Sequence, residues 1–329
     1  MVASGKTAGL VLREKQSSSA QAQGSVLPRF SSGVATPASI VRALKAAAGL
    51  PPLGIRASYA SGRCVRGTYA PSDQAREITR SPSFTRPSRV LARFALDVGR
   101  PDAPLRGFSF RLGSEGQSSD MLTQSAPIHF AGTLDQMLAF LAARIPGPDG
   151  KPDRAKGEAF SASNPQTRQQ SDYIAAHPLP ASFARTAYWG VHAFPATNSK
   201  GETRFIKFKV MPVGEQDRLA ASEAAANPER LIDDLNSRIA ARDIRFSVLA
   251  LLDRPGDPVM DVTIRWPDED AREALRLGTI VITGVEACGA CDEARFHPGN
   301  LAAGIGHPPD EIFAARCAAY IAAQTKRRR

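Results

Sequence analysis

Several absences narrow what this chain can be. Four cysteines in 329 residues are too few for a disulfide scaffold. The one close pair, Cys288-Gly-Ala-Cys291, has neither a second pair nor a nearby strand–helix redox frame, and it reads as two incidental thiols in a loop. No apolar run approaches the length that spans a bilayer. Met1 to Gln16 set Lys6, Arg13, Glu14 and Lys15 around a short apolar patch, which is not a secretory signal, so a cytoplasmic location is expected. Net charge is +10, yet Arg and Lys are scattered and no basic block is interleaved with aromatics, so no nucleic-acid partner is expected. The dense cluster Lys326 to Arg329 reads as a solvated basic tail.

What is present is globular in kind. Apolar residues make up 43% and charged residues 22%, near globular norms, and the length allows a large core. Residues 1–36, rich in Ser, Gln, Ala and Gly, cannot bury enough surface to order themselves and read as a flexible tail. Thr36 then caps a helix over Pro37 to Ala48. Strands are expected from Ile55 to Tyr69, Arg89 to Leu96, Leu105 to Leu112, Ala126 to Phe130, Arg204 to Val210, Arg245 to Leu252, Val259 to Trp266 and Leu277 to Glu286. Helices are expected from Leu134 to Ile145 and after Pro228 to about Ala241, while 147–170 reads as loop or weak helix. Many antiparallel-type strands with helices set aside describe an α+β protein with a barrel-like sheet.

The chemistry gathers near the end of the chain. Asp310, after Pro308 and Pro309, is a fitting N-cap for a helix on which Ile312, Phe313, Cys317 and Tyr320 recur at helical spacing. Arg316 and Tyr320 are i and i+4, on one face of that helix. A guanidinium beside a phenol favours the phenolate, and a phenolate is a good ligand for ferric iron.

The run FHPGNLAAGIGHPPDEIFAARCAAY, from Phe296 to Tyr320, resembles the haem-ligand segment of the catalase superfamily. Four further stretches resemble the short catalase-related peroxidases: Gly62 to Pro71, Arg93-Phe94 with Arg106-Gly107-Phe108, Ser119 to Ile128, and Ala187 to Val213. The similarity covers about residues 37–325 and implies one domain with an antiparallel β-barrel, peripheral helices and a C-terminal helix carrying the haem ligand. It implies a b-type haem with Tyr320 as axial ligand, Arg316 as its cationic partner and Arg93 near a propionate. Phe110, Phe130 and Phe313 are candidates to line the haem. The resemblance further implies reduction of hydrogen peroxide or an organic hydroperoxide with an external electron donor, and it is compatible with a homodimer.

On the distal side the chain departs from the family. Where relatives carry a histidine in an N-H-A-K-G context, Ser58-Tyr59-Ala60-Ser61-Gly62 places Tyr59. Imidazole titrates near 6.5 and a phenol near 10, so a tyrosine is about a thousandfold less often in basic form at neutral pH. Weakened turnover is therefore expected, with a non-enzymatic haem sensor or carrier as the alternative. Gln124 stands where the family has an asparagine that holds peroxide, and an amide with a longer arm offers the same donor. His129 reads as a satisfied core histidine. His192 falls at a position that in larger catalases lies near a nicotinamide-nucleotide site.

Overall fold

The computed structural model describes residues 35–50, 56–97, 105–147, 150–214 and 227–327. All but the last two residues of the expected N-terminal tail lie outside these. Ala35 is already buried, and its neighbour Thr36 closes a capping box with Ser39 at the start of α1 (Pro37–Ala47). Two hydrogen-bonded exchanges there satisfy amides that a helix start otherwise leaves bare.

Among the described residues nine strands follow: β1 (Ser61–Pro71), β2 (Ser88–Asp97), β3 (Leu105–Leu112), β4 (Ser119–Gln124), β5 (Tyr188–Trp189), β6 (Phe194–Thr197), β7 (Thr203–Pro212), β8 (Ile244–Leu252) and β9 (Ala274–Val285). They run antiparallel in the order β4-β3-β2-β1-β9-β8-β7, and the two-residue β5 pairs with both β4 and β7. That seam closes an eight-stranded barrel, with β6 attached outside it along β7.

Strand alternation decides what each wall faces. Ala92, Phe94 and Leu96 of β2 and Phe108, Phe110 and Leu112 of β3 point into the barrel core. Phe94 and Phe108 stack at 4.3 Å, and Phe246 of β8 lies 5.1 Å from Phe108. Burying each such ring stabilises the fold by roughly 1.5–3 kcal/mol. Arg93 and Ala95, with Gly107 and Ser109, therefore face outward. Phe110 is fully buried inside the barrel, so the expectation that it lines a haem is corrected: the pleat turns it away from the outer wall.

Helices pack around the barrel. After two short turns, α2 (Ala75–Ile78) and α3 (Pro82–Thr85), come α4 (Leu134–Ala142), α5 (Arg154–Ser163), α6 (Gln169–Ala176), α7 (Pro228–Ala241), α8 (Cys288–Ala294) and α9 (Glu311–Arg327). The weakly helical reading of 147–170 thus resolves into α5 and a 3-10 turn leading into α6. α9 runs through part of the expected basic tail. No helix among the described residues is long and apolar enough to cross a membrane.

Two expected strands are absent. Ala126 to Phe130 is irregular because side chains, not a ladder, take its carbonyls: Gln124 Nε2 donates to Ala126 O at 3.3 Å and Ile128 O at 2.8 Å, and Gln170 Nε2 to Ile128 O at 2.7 Å. Val259 to Trp266 is turned by Asp261, whose carboxylate accepts from the Thr263 amide at 2.8 Å. The cysteine reading is also overturned. Cys64 on β1 and Cys291 on α8 form a disulfide across 227 residues of sequence. Spacing along the chain could not reveal a pair that only the fold brings together.

Candidate functional site

A cleft of about 600 Å³ lies between the outer faces of β2–β4 and the helix α9. Arg93, Ala95, Gly107, Ser109, Leu122 and Gln124 form its barrel side. Ser58 and Tyr59, from the loop preceding β1, form one edge, and Arg316 and Tyr320 of α9 close the opposite side. A second cleft of about 710 Å³ continues past the same Ser58, Tyr59, Gln124, Arg316 and Tyr320. Its walls are mostly apolar, from Ile40, Leu44, Phe130, Met137, Ala315 and Ala319.

The helix side is built on a buried chain of polar contacts. Asp310 accepts the Phe313 amide at 2.8 Å, so it is the expected N-cap of α9. The same carboxylate holds His192 Nδ1 at 2.9 Å, and His192 Nε2 lies 2.7 Å from Arg316 Nη1. Arginine is only a donor, so Nε2 accepts from it and Nδ1–H donates to Asp310. Burial, strongest among the influences on His192, holds its pKa below the ordinary value, the nearby Arg316 charge acts the same way, and the ring is neutral. For Asp310, burial works to raise the pKa, but His192, the Phe313 amide and Arg316 outweigh it and keep the carboxyl low. Arg316 is thus fixed one helical turn before Tyr320. His192 is enclosed in this chain of contacts. Phe313 packs 5.3 Å from the His192 ring and supports the chain from behind without lining either cleft.

The barrel side is arranged differently. Tyr59 has φ 51°, a left-handed conformation uncommon for a bulky residue. Arg93 holds the loop there, its guanidinium donating to Tyr59 O at 2.9 Å and Ala60 O at 3.0 Å. The Tyr59 ring lies over Gly107, where a Cβ would stand 3.0 Å from Cδ1; glycine makes this approach possible. The Tyr59 hydroxyl donates to Gln124 Oε1 at 3.4 Å. Because Gln124 Nε2 is directed at backbone carbonyls, its amide turns its acceptor toward Tyr59. In this arrangement Gln124 does not offer the cleft the donor expected from the sequence, and that expectation is corrected. His129 stacks on Phe130 at 4.3 Å and shares its Nδ1 with the Ala131 backbone, as a satisfied buried histidine does.

The fold therefore brings Tyr59, Gln124, Arg93, Arg316 and Tyr320 around one space, places Phe130 along its extension, and leaves Phe110 and Phe313 out. Sequence reasoning missed the Asp310–His192 link. The N-cap position of Asp310 on the helix that carries Arg316 was the available signal; nothing local tied it to His192, more than a hundred residues earlier.

A family model described as Catalase matches residues 54–328. The chain belongs to the catalase family. Among its relatives, the catalase-related peroxidase of Synechococcus elongatus is 28% identical over 312 residues, covering 91% of this chain and 91% of that protein. The catalase-related peroxidase of Mycolicibacterium paratuberculosis is 28% identical over 306 residues, covering 88% and 94% respectively. A bacterial catalase structure superposes with a TM-score of 0.73 at 21% identity, and a fungal catalase with 0.70 at 20%. This chain spans only 58% and 60% of those larger catalases, so they establish the fold alone. Catalases and catalase-related peroxidases are haem-dependent oxidoreductases acting on hydrogen peroxide, and this catalase-family chain is an enzyme of that class.

The residues present fit a haem. Ala95 and Ser109 leave a wall of small side chains beside the Tyr59 ring, Arg93 would offer positive charge at the margin of a flat ring, and Tyr320 would supply an oxygen ligand.

Proposed function

We propose that this chain is a b-type haem peroxidase that reduces hydrogen peroxide or an organic hydroperoxide at the expense of an external electron donor. The observation that carries the reading is the buried Asp310–His192–Arg316 chain, which ends one turn before Tyr320 at the cleft. A bound haem supplies the iron at which the peroxide bond is cleaved. Tyr320 would hold that iron, with Arg316 fixed one helical turn before it. Arg93 would attract a carboxylate to the edge of the cleft. Tyr59 is the group that meets peroxide. It is a poor base but a competent proton donor to a departing oxygen, and Gln124 orients its hydroxyl. A homodimer is part of the same reading, and sedimentation of the loaded protein tests it. The Cys64–Cys291 disulfide supports a setting more oxidising than the cytoplasm.

The alternative, a haem sensor or carrier without turnover, draws support from one observation: the Gln124 amide nitrogen is engaged by backbone carbonyls and not free for peroxide. Absorption spectra of haem-supplemented protein, beside Tyr320→Phe, test both readings. The expected result is a high-spin ferric spectrum of phenolate type, lost in Tyr320→Phe, with oxidation of a generic donor above the rate of free haem. Stable haem that ignores peroxide would replace the enzyme by the carrier. Absence of any haem uptake would overturn both.

A further inference from the structure

The Cys64–Cys291 disulfide lies directly behind the cleft. Both cysteines are buried, and they share a small apolar cluster with Phe296, against which Leu122 packs. Phe296 and Leu122 are also lining residues of the 600 Å³ cleft. On its other side the disulfide-bearing turn of α8 holds the loop that carries Tyr59. Arg56 Nη2 donates to Cys291 O at 3.5 Å and pairs with the Asp292 carboxylate. That loop thus has two anchors, Arg56 on α8 at its start and Arg93 on β2 at Tyr59 and Ala60.

The anchors differ in kind. Arg93 reaches out from the barrel, whereas Arg56 reaches to a helix of seven residues. The end of α8 is secured independently, because Arg111 donates to Ala294 O at 2.8 Å and pairs in bidentate fashion with Asp120, which also accepts the His297 amide. Loss of the disulfide therefore frees the Cys291 turn and the Arg56 anchor while the barrel and the segment after Ala294 stay in place.

We propose that the Cys64–Cys291 disulfide is a redox latch on the haem cleft: closed, it fixes the Arg56–Tyr59 loop and Phe296 against the bound haem, and opened, it lets that edge relax so that haem is released faster. The proposal rests on haem occupying the cleft, as argued above. Opening takes two electrons and two protons from a dithiol, which itself becomes a disulfide, and leaves Cys64 and Cys291 as thiols. Closing returns the two electrons to a peroxide: one thiolate attacks the O–O bond, giving a sulfenic acid and water (or an alcohol). The second thiol then attacks that sulfur and a second oxygen leaves as water. The oxidant is the substrate class of the family, so the cleft tightens under the conditions in which the enzyme is needed.

The test uses full-length ferric holoprotein carrying Cys288→Ser, so that the latch pair is isolated from its neighbour in sequence. Transfer of haem to an excess of an apoglobin acceptor is timed before reduction with a phosphine, after it, and after reoxidation with hydrogen peroxide. Haem loss should quicken about tenfold on reduction and return on reoxidation, and the Cys64→Ala/Cys291→Ala variant should stay at the fast rate throughout. Equal rates in the oxidised and reduced protein would overturn the latch. Hydrogen exchange of haem-free protein separates this from failure of the haem reading. Reduction should raise exchange in residues 56–60 and 288–292 and leave β2 and β3 unchanged, and no rise there would overturn the latch whether or not haem binds.

Discussion

The two sides of the cleft are built on opposite terms. On the helix side a continuous chain of polar contacts leads to the cleft: Asp310 caps α9, holds His192, and through it fixes Arg316. On the barrel side the key residue sits in left-handed backbone, touches its neighbour by a long 3.4 Å hydrogen bond, and depends on an arginine and a glycine to stay where it is. A buried, fully paired chain is costly to alter one member at a time, whereas a strained loop tolerates exchange of the side chain it carries. That difference predicts that substitution is tolerated more readily at Tyr59 than within the Asp310–His192–Arg316 chain.

The sharpest way to break the comparison is Asp310→Asn. It leaves the amide cap largely intact but removes the charge that accepts from the neutral His192 ring, and a hydrogen bond to a charged group contributes about 1.5–3 kcal/mol. A fall of that size in the urea unfolding free energy is expected, with little change in Tyr59→Phe measured alongside. Next is Tyr59→His, which introduces a group that titrates near neutrality. Peroxide turnover by haem-loaded protein should rise about a hundredfold or more, the usual worth of general acid–base assistance. If it does not rise, the loop and not the side chain limits the distal side.

Acid titration separates the sides by pH. His192 has a lowered pKa in the fold, so below about 6.5 the unfolded chain takes up a proton that the folded one refuses, and stability falls as pH drops through that value. Asp310, with its pKa also lowered, contributes stability above about 4 that is lost as pH falls further. Unfolding curves of His192→Gln should lack the first decline, and those of Asp310→Asn the second. The smallest effect is Gly107→Ala. Its methyl would press on the Tyr59 ring and is expected to cost about 1 kcal/mol, relieved when combined with Tyr59→Gly; a purely additive double mutant would show that the contact is not felt.

These contrasts also mark what could be read before the fold was known. The α9 helix was legible because its start, its apolar period and its Arg316/Tyr320 pair all lie within a few turns. β3 was legible to its ends because Phe108, Phe110 and Leu112 alternate with outward residues. What escaped was long-range: the bond from Cys64 to Cys291 and the link from His192 to Asp310. Ala126 to Phe130 misled for a local reason, since its backbone is satisfied by glutamine side chains that no strand pattern announces.

One detail of the barrel bears on how the distal side is held together in time. The seam that closes the cylinder is two residues long, and the single β4–β5 register pair is Gln124 opposite Trp189. The residue that meets Tyr59 is therefore also the stitch that turns an open sheet into a ring. Fraying of that seam would begin at the residue that orients the Tyr59 hydroxyl, so closure of the barrel and order at the cleft edge hang on one position.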